Sequence, residues 1–364
     1  MRLSKTSRLL LLSAGLFFSS AAFTQLELPA KYKLREVNAP LAVKNRIAAQ
    51  RTLITQQKLK YNVGFTGVSN KTLAQITGEK ETTPQEVIRV KSIVVNRKLS
   101  ASALEIIKNY LVSCIASKRA YDARTQYYVT PVRDQQCGNC WSYSAMGAFE
   151  GSYLRVNGAN ATSSAGLNTS EQYVVNCSGA GNCGPEGGLA YKVFEWMVDN
   201  NKNVEKESVL PDGGSVGACS GGVPATNYYA TDWGVVDPSG DVTKIASVAS
   251  IKDALCKYGP IAASLISTQN FQDYTNGVFY ETASNYASPS SNHAVLIVGW
   301  DDDKNAWLIK NSWGTDWGED GYGWIDYGSN NIGRRASWVI AKKAPALIKP
   351  IKDVQIRNAP VIKQ

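Results

Sequence analysis

Three side chains that together can cleave an amide stand in order along this chain. The string Gln135-Gln136-Cys137-Gly138-Asn139-Cys140-Trp141 carries a thiol where a helix should begin. His293 is the only histidine among 364 residues, so any chemistry that needs an imidazole must use it. Asn311 follows, inside Lys310-Asn311-Ser312-Trp313-Gly314. A thiol attacks a carbonyl as thiolate, and an ordinary cysteine, with a pKa of about 8.5, is mostly protonated at neutral pH. Two devices lower that value. One is a helix N-terminus, with its unpaired N–H groups and dipole. The other is an imidazolium alongside, which can later give its proton to the leaving amine. Cys140 has the first from a helix expected over 141–156, which Asn139 could cap, and the second from His293. The amide oxygen of Asn311 could orient the imidazole, and Trp313 could keep water from that bond. Charge developing on the substrate oxygen needs donors. The Cys140 N–H and the Gln135 amide are candidates, with Gln136 as an adjacent rival.

Each residue alone has a plainer use: a buried thiol, a packing histidine, a turn. Cys137, Cys140, Cys177 and Cys183 also have zinc-like spacing, and Cys137-Gly-Asn-Cys140 that of a redox pair, although the strand preceding a thioredoxin-like motif is missing. Export argues against both. Arg2, Lys5 and Arg8 precede a ten-residue apolar run over 9–18 and small residues at 19–22, which together read as a secretory signal over 1–24. The run is too short to span a bilayer comfortably. The expected setting is secreted or extracellular, with a periplasm or lysosome-like compartment as alternatives. In an oxidising compartment most of the seven cysteines should pair, and an odd number leaves at least one thiol free or paired outside the chain.

The elements that must position these groups change character along the chain. Residues 25–119 read as helical over 41–61, 86–94 and 100–115, with a short strand or turn over 62–68. From Tyr121 the Gly, Asn, Ser and aromatic content rises. Helices are expected over 141–156, 189–198 and 251–257, and strands over 261–266, 294–300, 306–310 and 323–327. Helices first and strands later is a segregated α+β order. Residues 343–364, rich in Pro and Lys, read as a flexible tail. Charge divides the same way. Residues 25–119 carry 17 Lys and Arg against 6 Asp and Glu, whereas residues 120–342 carry 14 against 23. Self-association of the two segments is a simpler use of that charge than nucleic-acid binding.

The motifs resemble those of the papain family over about 121–342. The string around Cys140 is similar to the family's Q-x-x-C-G-x-C-W, one residue short. Asn292-His293-Ala294-Val295 resembles its N-H-A-V, and the run from Lys310 to Tyr322 its K-N-S-W-G-x-x-W-G-x-x-G-Y. The resemblance implies a cysteine endopeptidase acting through a thioester acyl-enzyme, with Cys140 as nucleophile, His293 as acid/base, Asn311 as orienter and Gln135 as oxyanion donor. It implies a two-lobed α+β fold: a helical lobe and a β-barrel-like lobe, preceded by a mainly helical propeptide. The division would be signal 1–24, inhibitory propeptide 25–119, peptidase 120–342 and tail 343–364. Also implied are disulfides Cys137–Cys183 and Cys177–Cys219, with Cys256 left unpaired or joined to Cys114. Gly187, Gly188, Leu189, Ala190, Asn292, Ala294 and Trp313 would line the substrate cleft. Leu189, Ala190, Ala294 and Ser337 would shape the pocket for the side chain two before the cut. With no acidic residue among them, an apolar or aromatic preference is expected. Protein or peptide substrates, the chain's own propeptide and protein inhibitors are the implied partners. A monomer is expected, without metal, other cofactor, nucleic acid or stable membrane anchor. An exopeptidase on the same fold, or a secreted binding protein without activity, are the alternative readings.

Overall fold

A computed structural model describes residues 26–110, 114–184, 186–219, 222–285 and 290–344. The expected signal lies outside these residues, as does all of the expected tail beyond Ala344. Among the described residues no helix is long and apolar enough to cross a membrane.

Nine strands form one mixed sheet: β1 (Tyr61–Val63), β2 (Ala120–Asp122), β3 (Ala230–Val235), β4 (Ile261–Leu265), β5 (Tyr274–Phe279), β6 (His293–Asp301), β7 (Ala306–Lys310), β8 (Tyr322–Asp326) and β9 (Arg334–Ala341). Their order is β1-β5-β8-β7-β6-β4-β9-β3, with β2 also on β6. Among the strands of the described residues only β5 and β8 pair in parallel. The expectation of a β-barrel-like lobe is corrected here. A barrel needs every strand flanked on both sides, whereas β1 and β3 end the order and no ladder joins them. The fold is a two-lobed α+β arrangement of a helical lobe and an open mixed-sheet lobe. One sheet edge is covered by β1, a strand from the mainly helical N-terminal segment.

Strand alternation explains how one sheet serves two cores. Successive side chains point to opposite faces. On β6, Val295 and Ile297, and beyond an irregularity between Ile297 and Gly299 also Trp300, join one buried cluster, with Ile251 and Leu255 of the helix Val248–Tyr258 and with Val43, Ile47 and Ile54 of the helix Leu41–Gln56. Ala294, Leu296 and Val298 join the other cluster, with Ala145, Met146 and Phe149 of the helix Cys140–Asn157 and Phe194 and Met197 of the helix Ala190–Asp199. The first residue of β6 therefore faces one way and its neighbour the other, at the seam where the lobes meet.

Candidate active site

The helix Cys140–Asn157 begins at the thiol itself. Gln135-to-Asn139 is a loop, and its expected cap is absent: the Asn139 side chain makes no cap bond. It donates instead to Asp212 Oδ2 at 3.1 Å. Asp212 also accepts from Tyr143 Oη at 2.7 Å, so this carboxylate pins the loop to the first helical turn. Nothing in the local sequence marks Asp212, which lies 72 residues beyond Cys140.

Cys140 is the only free cysteine among the described residues, and it is buried. Its Sγ accepts the Ala294 N–H at 3.4 Å, which brings the sulfur to the start of β6. His293, the residue before, holds the Asn311 Oδ1 through its Nε2 at 2.8 Å. That contact leaves Nδ1 buried with no hydrogen-bond partner among the described residues. Trp313 stacks on the imidazole at 4.5 Å between ring centroids. Gln135 turns inward: its backbone N–H bonds Ser312 O at 2.8 Å and its Oε1 accepts from Ser312 Oγ at 2.6 Å. Gln136 turns away, its amide donating to Asp134 O. Cys140, His293, Asn311, Gln135 and Trp313 are thus brought together.

The cleft is filled by the chain's own residues 76–80. Ile76 O accepts from Gln135 Nε2 at 3.2 Å and from Trp313 Nε1 at 3.0 Å. Gly188 N–H donates to Gly78 O at 3.0 Å, and Gly188 O accepts from Lys80 N–H at 3.1 Å. Asn292 O accepts from Glu79 N–H at 3.2 Å. The approach is close enough to require glycine on both sides. A Cβ on Gly187, which has φ 57°, would overlap Gly78 O, and one on Gly78 would overlap Gly138 O. Leu189 and Ala190 are buried where the following helix begins.

Burial sets the protonation of this covered site. It pushes the Cys140 thiol up to about 12, against the lowering effect of the Ala294, Gly78 and Trp141 N–H groups. It pulls His293 down to about 4, against the Asn311 bond. At pH 7 both groups are neutral under the segment.

Cys137 is bonded to Cys183 and Cys177 to Cys219. Cys256 is not a lone thiol but is joined to Cys114. The surroundings of Ala294 also hold a charge: Ser264, paired with Ala294 across the sheet, donates to Glu79. Arg335, only 3% exposed, reaches this part of the cleft and pairs with Glu79 at 3.3 Å. Nothing in the local sequence marks this arginine, because its neighbour in space lies 256 residues earlier.

The chain matches the model of the papain family cysteine protease over residues 117–342. A cathepsin L-like peptidase of Aedes aegypti is 38% identical over 208 residues, covering 55% of this chain and 56% of that protein. The chain thus spans little more than half the length of that curated relative. Cathepsin L of Sarcophaga peregrina is 32% identical over 287 residues, 77% of each chain. A digestive procathepsin L2 proteinase from Tenebrio molitor larval midgut shares the fold, with a TM-score of 0.59 over 87% of this chain and 96% of that one at 23% identity.

Proposed function

Because the chain belongs to the papain family of cysteine proteases, we propose that it is a cysteine endopeptidase made as a zymogen, in which residues 25–119 block the cleft of a peptidase spanning 120–342. The observation that carries this reading is that the one free thiol is bonded to the residue next to the one imidazole. The sulfur accepts the N–H of the residue that follows His293, and His293 is held by Asn311.

The chemistry follows from that placement. His293 Nδ1 takes the proton of Cys140, and the thiolate attacks the substrate carbonyl carbon. The oxyanion is held by the Cys140 N–H and by Gln135 Nε2 once Ile76 has left it. Protonated His293 gives its proton to the leaving amine, and a thioester remains. Water, deprotonated by the same Nδ1, attacks the thioester; the acid leaves and the thiol is restored. Asn311 keeps Nε2–H in place through both halves, which leaves Nδ1 free to carry the proton.

The N-terminal segment silences the site by occupying its hydrogen-bonding groups and by keeping thiol and imidazole neutral. Processing near Lys118 to Tyr121 would leave β2 as the first strand of the mature enzyme. Peptides or proteins are the substrates, the segment is an internal inhibitor, and the setting is a secreted or lysosome-like compartment. The test is thiol labelling. After the full chain has processed itself and reduction of Cys114–Cys256 has freed the segment, iodoacetamide should modify Cys140 much faster than a free cysteine at pH 6. The His293→Ala chain, processed by added wild-type enzyme, should lose that advantage. A wild-type thiol that reacts and titrates like free cysteine would remove the basis of the reading.

A further inference from the structure

Arg335 is a buried cation whose carboxylate partners all come from the segment that is to be removed. Its backbone adopts φ 51°, a region that side chains other than glycine rarely enter, and its guanidinium is 2% exposed. Nη1 donates to Glu79 Oε2 at 3.3 Å and also to Ser291 Oγ. Nη2 donates to Glu81 Oε2 at 2.9 Å and Nε to Thr82 Oγ1 at 3.1 Å. Of these acceptors, only Ser291 belongs to the peptidase part. Ser264, on β4, donates to the other Glu79 oxygen. Two side chains of the peptidase part therefore converge on one carboxylate of the segment.

The place of that carboxylate is informative. Glu79 follows Gly78, which lies against Cys140. The backbone on either side is bracketed by Gly188 and Asn292. The Glu79 side chain thus leaves the blocking segment one residue from the sulfur, into a recess made by Ser264, Ser291 and Arg335. Resting on the peptidase reading of the cleft, we propose that this recess selects an acidic side chain on the substrate, at the residue two before the cut, with Arg335 as the specificity-determining residue.

Departure of the segment strips Arg335 of Glu79 and Glu81 together. A buried charge without a counterion is costly. A substrate carboxylate restores a charge-assisted pair, which is strong and directional. Leucine leaves the guanidinium unpaired, and lysine sets like charges against each other. Sites that hydrogen-bond a polar substrate group discriminate strongly against analogues lacking it. Arg334, buried beside Arg335 with its Nη2 3.5 Å from Glu81, adds positive potential.

The test uses the full chain after self-processing and reduction of Cys114–Cys256, which frees the segment, with active enzyme counted by titration of Cys140. Three fluorogenic peptides differ only in Glu, Leu or Lys two residues before the cut. We expect kcat/KM to be about tenfold or more higher for Glu than for Leu, and lower still for Lys. In Arg335→Leu the order of Glu and Leu should invert. A wild-type preference for Leu over Glu overturns the proposal without a variant being needed, and so does an Arg335→Leu enzyme that keeps the Glu preference. If no peptide is cleaved, the hydrolytic reading fails, and the recess is then judged by protection. The Glu peptide should slow iodoacetamide modification of Cys140 at about tenfold lower concentration than the Leu peptide. Equal protection by the two overturns the proposal.

Discussion

Gly78 is the residue on which the covering of the sulfur depends. Its Cα has Gly138 backbone atoms so close that an added Cβ would overlap O, C and Cα of that residue. Backbone cannot step aside as the end of a flexible side chain can. Overpacking of this kind costs roughly 1–3 kcal/mol, which corresponds to about tenfold or more in the population of the lifted segment. Gly78→Ala in the full chain should therefore raise the rate of Cys140 alkylation before processing by about that factor. Once processing and reduction of Cys114–Cys256 have released residue 78, kcat/KM should be unchanged, and an unchanged alkylation rate in the precursor would refute the close fit. The reacting residues themselves were legible because Cys140, His293 and Asn311 sit in short local strings. Arg335 and Asp212 were not, since each earns its place through partners that only the fold brings near. The Asn139 cap fails for a related reason: Asp212 draws the Asn139 Nδ2 to itself, and the Oδ1 that would accept from the helix is left buried with no hydrogen-bond partner among the described residues.

Local pattern also set which elements could be read. The strand Ala306–Lys310 and the helix Cys140–Asn157 lie within a residue of expectation, because each is a continuous apolar or amphipathic run bounded by turns. The helix Ala30–Val37 has little local signal, since Pro29 and Pro40 flank it and no side chain caps its N-terminus. Tertiary bonds hold it: Tyr32 Oη donates to Gly318 O at 2.7 Å, and Arg35 pairs with Asp316. The strand β9 opens with two arginines, which mask a buried strand until Glu79 and Glu81 are placed opposite them. The disulfide from Cys114 to Cys256 in the helix Val248–Tyr258 carries a consequence of its own. Cleavage near Lys118 to Tyr121 would leave residues 25–119 covalently attached. A tethered inhibitor acts at an effective concentration in the millimolar range. We expect processed wild-type chain to migrate as one species on a non-reducing gel and as two after reduction. Cys114→Ser should release the segment without reductant. A wild-type fragment that separates on the non-reducing gel would show that the tether is not present in the folded precursor.

Charge acts over the whole molecule. Basic residues of the N-terminal segment meet carboxylates of the peptidase part in Lys31–Asp320, Arg35–Asp316, Arg46–Asp273, Arg89–Glu195 and Arg97–Asp199. Four contacts run the other way, from Glu79 to Arg335, from Glu81 to both Arg334 and Arg335, and from Glu86 to Lys192. The contrast between +11 and −9 is thus used within the chain. Its pH dependence has a definite sign. Glu86 is held down to about 2, first by its bond to Arg89 and then by Lys192. Glu81 is pushed up by its partial burial, but Arg335 and Arg334 together outweigh that and leave it below the ordinary value of 4.5. A carboxylate whose docked pKa is depressed supports docking fully above its free value and loses that support as pH falls through the docked one. Arg89 belongs to the same helix as Glu86, so only the Lys192 part of that shift follows docking. His293 acts in an earlier window. Burial pulls it from 6.5 to about 4, so a state that exposes it gains a proton more readily as pH falls below 6.5, and the closed precursor is weakened from there down. Glu79 opposes both, because its burial raises its pKa despite Arg335, and acid then favours its docked form. Three groups against one predict faster release in acid. Self-processing should be slow at pH 7, rise below about 6.5 and rise again below about 4.5. In the Glu81→Gln, Glu86→Gln chain the second rise should flatten while the first remains. Equal processing rates at pH 7 and pH 4 in the wild-type chain would exclude charge as the release mechanism.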